Sequence, residues 1–177
     1  MSDQLKEEGL KLFQQGSHDA ALTKFQAALE SYTAGNQPTG RAEMFNNIGV
    51  IHRIYRNWGE AIAAFSQAEI LFKEMGDDNR LAQVWGNLGD LYAFQGEREK
   101  AAGYYSDSAE AFARAKDPGR QSQVLRALSL LRLRQRRFVE AMRLMEMSQS
   151  VLPQLNLLQR LWRGLLRFAL RLFGGVA

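Results

Sequence analysis

Small residues recur at a fixed interval of 40 residues in this chain, and no other feature of its sequence restricts the possible folds as strongly. Gly49 has a glycine 40 residues away on either side, and the positions of Ala61 and Phe65 recur at the same interval. The equivalent positions hold Gly9, Gly49, Gly89 and Ser129; Ala21, Ala61, Ala101 and Ala141; and Phe25, Phe65, Tyr105 and Met145. Four copies without a slip in register predict stacked structural repeats.

The spacing within one copy predicts a pair of helices. Gly49 and Ala61 are separated by 12 residues, which accommodates most of one helix, a turn and the start of a second. Their small side chains mark a close approach of the two helices, and Phe65, four residues after Ala61, lies on the same helical face. A helical hairpin of this kind cannot bury its own apolar face, so we expect each hairpin to stack on the next.

The second and third copies resemble the tetratricopeptide repeat, whose pattern is W-x2-L-G-x2-Y followed by A-x3-F. The matching residues are Phe45 and Trp85, Ile48 and Leu88, Gly49 and Gly89, Tyr92, Ala61 and Ala101, Phe65 and Tyr105, and Ala68. The usual period is about 34 residues. The longer period here is similar to that of the repeats in kinesin light chains and the LGN/Pins polarity adaptors.

This resemblance implies an all-α fold, namely a right-handed superhelix of four tetratricopeptide hairpins followed by a C-terminal amphipathic helix. It also implies a non-enzymatic adaptor or scaffold that holds a peptide or protein segment in its concave groove. Turn residues divide the chain into repeats at about 2–37, 38–76, 77–116 and 117–153. The remaining residues, 154–177, are expected to form the basic amphipathic helix and a tail.

Catalytic and metal-binding patterns find little support in the composition. The chain has two histidines and no cysteine, which excludes a thiol nucleophile and any zinc site built on cysteine. We therefore expect no enzyme activity and no cofactor. The polar N-terminal residues do not form a secretory signal, so we expect a cytoplasmic protein, with a peripheral membrane location as the alternative.

Two asparagines are the leading candidates for ligand contact. Asn47 and Asn87 stand two residues before a repeat glycine, where the resemblance implies an amide that bonds the backbone of a bound peptide. The other groove candidates on or beside that face are Asn46, Arg53, Asp90, Arg126 and Arg134. The alternative is that the two asparagines only link adjacent helices. A family variant that clamps a C-terminal carboxylate is not favoured, because only Lys6 and Asn47 match it.

Positive charge is concentrated at the C-terminal end of the chain. Residues 1–119 hold 12 Lys or Arg against 17 Asp or Glu, whereas residues 120–177 hold 11 Arg against 2 Glu. An anionic partner is therefore expected at the basic end. A nucleic-acid-binding or regulatory module using the arginines of the last repeat is one alternative function. It is not favoured, because no aromatic residue lies between Arg132 and Arg137 for a base to stack on.

The segment 155–173 departs from the repeat pattern. It contains no acidic residue, and its arginines recur every three or four positions along one helical stripe. The candidate contact residues are Arg160, Leu161, Trp162, Arg163, Leu165, Arg167, Phe168, Arg171 and Leu172. Four arginines disfavour a spanning helix. Three interpretations remain. The segment is a cap over the fourth repeat, or a cap that also binds a partner or a second copy. Alternatively, the protein is a membrane-peripheral assembly factor, and this helix docks it on an anionic membrane surface.

Overall fold

The structure is a computed structural model that describes residues 1–154 and 156–173. The described residues form α-helices and turns, with no strand among them. The helices are α1 (Ser2–Gln14), α2 (His18–Ala34), α3 (Pro38–Ile54), α4 (Trp58–Glu74), α5 (Asp78–Gln95), α6 (Arg98–Arg114), α7 (Pro118–Arg134), α8 (Phe138–Ser150) and α9 (Leu157–Phe173). Leu155 and the predicted tail after residue 173 lie outside the described residues.

The chain divides into two compact units whose boundary falls within α5. The first unit, Met1–Asn87, contains α1 to α4 and the N-terminal half of α5. The second begins at Leu88 and contains the rest of α5 and the helices that follow. Inside each unit a helix packs on the helix before or after it in the chain, as α2 does on α3 and α7 on α8. Contacts between neighbours in sequence are what a helical repeat requires.

Every turn between consecutive helices from α1 to α8 has the same backbone geometry. A residue with positive φ recurs every 20 residues, first at Gly16 and last at Arg136. The backbone N–H that follows it bonds the carbonyl five residues earlier, as Ser17 does to Leu12 at 2.9 Å and Asn57 to His52 at 2.9 Å. This is the Schellman arrangement that ends helices. The 40-residue sequence repeat therefore contains a 20-residue backbone repeat of one helix and one turn.

Two glycines of the second unit test this turn geometry, because a Cβ added at either would meet no atom within 4 Å. Gly96 occupies a turn with φ +81°, whereas Gly103 lies inside α6. We expect Gly96→Ala to lower the free energy of unfolding by about 1–2 kcal/mol, because L-residues are strained in the left-handed region. Gly103→Ala should raise it by about 0.5–1 kcal/mol, because alanine is the better helix former. Thermal unfolding followed by circular dichroism measures both, and shifts of the same sign would contradict the assignment.

Within the hairpins, a small residue of the first helix packs against an aromatic ring of the second. A Cβ added at Gly49 would lie 2.7 Å from the ring of Phe65, and one added at Gly89 would lie 2.6 Å from the ring of Tyr105. Ala61 and Ala101 are fully buried, as the sequence predicts. The spacing of small and aromatic residues therefore identifies the helix crossings correctly.

The fourth copy replaces this contact with a hydrogen bond. Ser129 is buried at the glycine position, and its hydroxyl donates to the carbonyl of Ala141 at 2.7 Å. The ring position is held by Met145, whose flexible side chain can leave room for the serine Cβ. A side chain at the small position is therefore compatible with the hairpin only when the opposing residue can move aside.

Gly49→Ala should destabilise the first unit by about 1–3 kcal/mol, because the added methyl group overpacks the ring of Phe65. Combining it with Phe65→Met replaces the ring with the flexible side chain that the fourth copy has at this position, and it should recover part of that loss. Chemical unfolding of the two variants and of Phe65→Met alone measures the coupling between the positions. Additive effects of the two substitutions would show that the glycine and the ring do not constrain each other.

Candidate functional site

The first unit contains a pocket of about 230 Å³ on the side formed by α1, α3 and the start of α5. Its lining residues are Lys6, Leu10, Glu43, Asn46, Asn47, Phe72, Arg80 and Gln83. All but Phe72 come from the first helix of a hairpin, which is the face where the sequence predicts ligand contact. Asn46 and Asn47, two of the predicted groove residues, are brought together here.

A carboxylate at the centre of this pocket holds the three helices together. Glu43 of α3 accepts from Lys6 of α1 at 3.1 Å and from Arg80 of α5 at 2.8 Å. Arg80 also pairs with Asp77 at 2.6 Å. Burial raises the pKa of Asp77, but hydrogen bonds from the backbone and side chain of Arg80 outweigh it and hold that pKa below its ordinary value. These ion pairs therefore fix the positions of the charged side chains in the pocket.

The motifs of the sequence do not predict Glu43 and Arg80 as site residues. Lys6, Glu43 and Arg80 are spaced at intervals of 37 residues, three fewer than the repeat. A step of three residues back along a helix stays on the same face, so the three charges meet across stacked first helices. Alternating charge at this interval is the signal that could have predicted the network.

The asparagines play different parts in the pocket. Asn87 donates from Nδ2 to Oδ1 of Asn46 at 2.9 Å, so it links α5 to α3. Asn47 is half-buried and lines the pocket. Within residues 1–154 and 156–173, no group forms a hydrogen bond with the side-chain amide of Asn47. Asn87 therefore links two helices, as in the alternative that the sequence left open, whereas Asn47 lines the pocket.

The other predicted groove residues are dispersed. Arg126 lines a pocket of about 320 Å³ in the second unit, formed by α7, α8, α9 and the turn before α9. Asp90 accepts from the hydroxyl of Tyr105 at 2.7 Å, which joins α5 to α6. Arg134 is exposed at the end of α7, and Arg53 is half-buried in the last turn of α3. Of these four residues, only Arg126 lines either pocket.

Two arginines of the last repeat are paired with carboxylates within the second unit. Arg132 pairs with Glu99 of α6 at 3.0 Å and with Glu140 of α8 at 3.4 Å. Arg137 pairs with the same two carboxylates, at 2.6 Å from Glu140 and 3.8 Å from Glu99. These pairs reduce the positive charge that a nucleic acid would meet at the turn between α7 and α8.

Helix α9 packs on α8 through part of its arginine stripe. The Nε atoms of Arg163 and Arg167 both lie 2.9 Å from one oxygen of Glu146, and Leu166 is buried between them in sequence. Burial raises the pKa of Glu146, but the hydrogen bonds from the two arginines lower it by a larger amount. The pKa of Glu146 therefore lies below its ordinary value. Two of the four arginines expected to meet a partner therefore hold α9 to the repeat.

Glu146→Gln should loosen α9, because it removes the charge that binds both arginines. The hydrogen bond from Arg163, the less exposed of the two, is worth about 1.5–3 kcal/mol. Hydrogen exchange of amides in 157–173, with α3 as the internal control, measures the loss. Unchanged protection of α9 would mean that Leu166 alone holds it.

The same contact predicts a pH dependence. The pKa of Glu146 is lowered from 4.5, so its stabilisation is complete above pH 4.5 and is lost as the pH falls through the lowered value. Protection of α9, corrected for intrinsic exchange, should decrease over that range in the parent protein. The Glu146→Gln variant should lack this decrease.

Comparison with known proteins identifies the repeats. The family model described as tetratricopeptide repeat matches residues 40–114. The chain therefore contains tetratricopeptide repeats. The crystal structure of BtubC (BKLC) from P. vanneervenii is similar, with a TM-score of 0.75 and 19% sequence identity over 85% of this chain. That likeness confirms the predicted all-α helical repeat fold, and at this identity it shows the fold alone.

The chain spans 62% of the length of the BtubC chain. No curated protein matches this tetratricopeptide chain in sequence. Within the part of the chain that the structure describes, no helix has the length and apolar character to cross a membrane. The described residues also contain no cluster of three His, Cys, Asp or Glu side chains arranged to hold a metal ion.

Proposed function

We propose that this protein is a non-enzymatic adaptor that holds an extended segment of a partner protein against the pocket of α1, α3 and α5. Tetratricopeptide repeats generally mediate protein–protein interaction and are typically scaffolds. The observation that carries the proposal is the amide of Asn47, which lines the pocket while its neighbours Asn46 and Glu43 are already engaged. A half-buried amide that no described residue bonds can pair with a ligand that supplies a donor or an acceptor.

The chemistry of the pocket fits a peptide backbone. A side-chain amide both donates and accepts, so Asn47 can pair with a peptide group of any residue type. Leu10 and Phe72 supply apolar contact beside it. Lys6 and Arg80 share the carboxylate of Glu43, and Arg80 also pairs with Asp77, so carboxylates already balance the two cations of the pocket. The ion pairs fix these side chains before binding, which reduces the entropy lost on association.

A peptide-selection experiment tests the proposal. Peptides selected from a display library on the full-length protein would be measured by titration calorimetry against the parent and three variants. Asn47→Ala should weaken binding by about twofold to tenfold, the equivalent of one hydrogen bond, and leave the melting temperature unchanged. Asn87→Ala should lower the melting temperature, because it breaks the bond to Asn46. Gln26→Ala, an exposed amide on α2, is the control and should change neither.

Two outcomes would contradict the proposal. One is undiminished affinity in Asn47→Ala, and the other is failure of the intact protein to select any peptide. A cytoplasmic location suits an adaptor of this kind and belongs to the same proposal. A nucleic-acid module is less well supported, because Glu99 and Glu140 already pair with Arg132 and Arg137. The membrane-surface alternative depends on α9 and not on this pocket.

A further inference from the structure

The position of α9 repeats that of the first helix of a hairpin. Helices α7 and α9 are both 17 residues long, and α9 begins 39 residues after α7. Val124, Ala127 and Leu131 of α7 pack in the cluster formed with α6. The residues 39 positions later are Arg163, Leu166 and Leu170, which are half-buried, buried and half-buried. These α9 residues are the ones turned inward, and α9 packs on α8 as α7 packs on α6.

Helix α8 covers a second face of α7, and the equivalent face of α9 is exposed. Ser122 and Ser129 are buried there, at 5% and 3% exposure. Their counterparts 39 residues later, Leu161 and Phe168, are 60% and 61% exposed. Helix α9 therefore presents to solvent the face that a second helix covers in a complete hairpin.

That face is continuous and strongly apolar. Its residues follow the spacing of one side of a helix. They are Leu158, Leu161, Trp162, Leu165, Phe168 and Leu172, and each is between 51% and 77% exposed. Apolar surface of this extent marks an interaction site on a folded protein.

The charge of α9 decides between possible occupants of this face. The helix carries four arginines and no acidic residue, and two of these arginines, Arg163 and Arg167, share the one carboxylate of Glu146. Pairing with a second copy would bring two helices of the same charge together. Arg171 is exposed and borders the apolar face, three residues after Phe168. An outward face of Leu, Phe and Trp with arginine along its edge complements an anionic lipid surface.

We propose that α9 docks this protein on an anionic membrane surface, lying in the plane of the headgroups with its apolar face toward the acyl chains. Arg163 and Arg167 remain bound to Glu146 and hold the repeats to the docked helix. Arg171 contacts the lipid phosphates. The inference is independent of the peptide pocket, which lies in the other unit.

Co-sedimentation of the full-length protein with vesicles tests the inference. Binding should be about fivefold stronger to phosphatidylcholine containing phosphatidylglycerol than to phosphatidylcholine alone, because Arg171 near an anionic surface contributes about 1 kcal/mol, a factor of about five. High salt should weaken it through screening. The emission of Trp162 should shift to the blue with anionic vesicles, and Trp162→Phe should abolish that change.

Matched variants assign the binding to this face. Phe168→Ser should reduce partitioning at least tenfold, because burial of a Phe side chain is worth more than about 1.4 kcal/mol. Phe94→Ser alters a phenylalanine on α5 that is 72% exposed, and it should have no effect. Arg171→Gln should reduce partitioning about fivefold, whereas Arg98→Gln on α6 should change it less than twofold. If Phe168→Ser alters helicity, Leu161→Ser on the same face replaces it.

Three results would overturn the inference. The first is equal binding to neutral and anionic vesicles. The second is anionic binding that persists in both Phe168→Ser and Leu161→Ser, since it would be located elsewhere. The third is an intact protein that ignores vesicles. In that case light scattering would show whether a second copy covers the face through concentration-dependent dimers or whether the face stays open in a monomer.

Discussion

The hairpins depend on a close contact between a residue without a side chain and an aromatic ring. At Gly49 and Gly89 the ring of the second helix occupies the space that a Cβ would need. This contact brings two helix backbones near enough for alanines such as Ala61 and Ala101 to be buried completely. Interiors are close-packed, so a small residue on one helix and a large one on the other must be specified together. That joint requirement gives the sequence its visible period.

The turns impose a second constraint that the sequence shows less clearly. Gly16, Gly76 and Gly96 adopt positive φ, as glycine does readily, but the equivalent turns use Asn36, Arg56, Lys116 and Arg136. Asparagine tolerates this region, whereas arginine and lysine are strained in it. The hydrogen bond from the following N–H to the carbonyl five residues earlier is present at all these turns, so the helix ends determine the conformation even where the residue type opposes it. For this reason the 20-residue backbone repeat could not be recognised from residue identity.

The period and the small and aromatic positions predicted the helical hairpins and the buried alanines from sequence alone. The repeat pattern predicted less of the candidate site. The contacts of this site join residues of opposite charge on different helices, and the pattern of small and aromatic residues does not show those charges. Glu43 is one acidic residue among many in the sequence, and only the approach of α1 and α5 gives it Lys6 and Arg80 as partners. Asn47 and Asn87 occupy equivalent positions and were expected to act alike. They differ because Asn87 donates to Asn46, whereas no described residue bonds the side-chain amide of Asn47.

Helix α9 shows why an amphipathic pattern does not by itself determine which face packs inward. Burial of apolar area would favour docking through leucine and phenylalanine. Against this, Glu146 lies on α8 with its side chain only 18% exposed, and a buried carboxylate without a partner is costly. Arg163 and Arg167 satisfy that carboxylate by lying against α8. The helix can meet this requirement only by turning much of its apolar surface outward, so one acidic residue of the last hairpin gives the C-terminal helix an exposed apolar face.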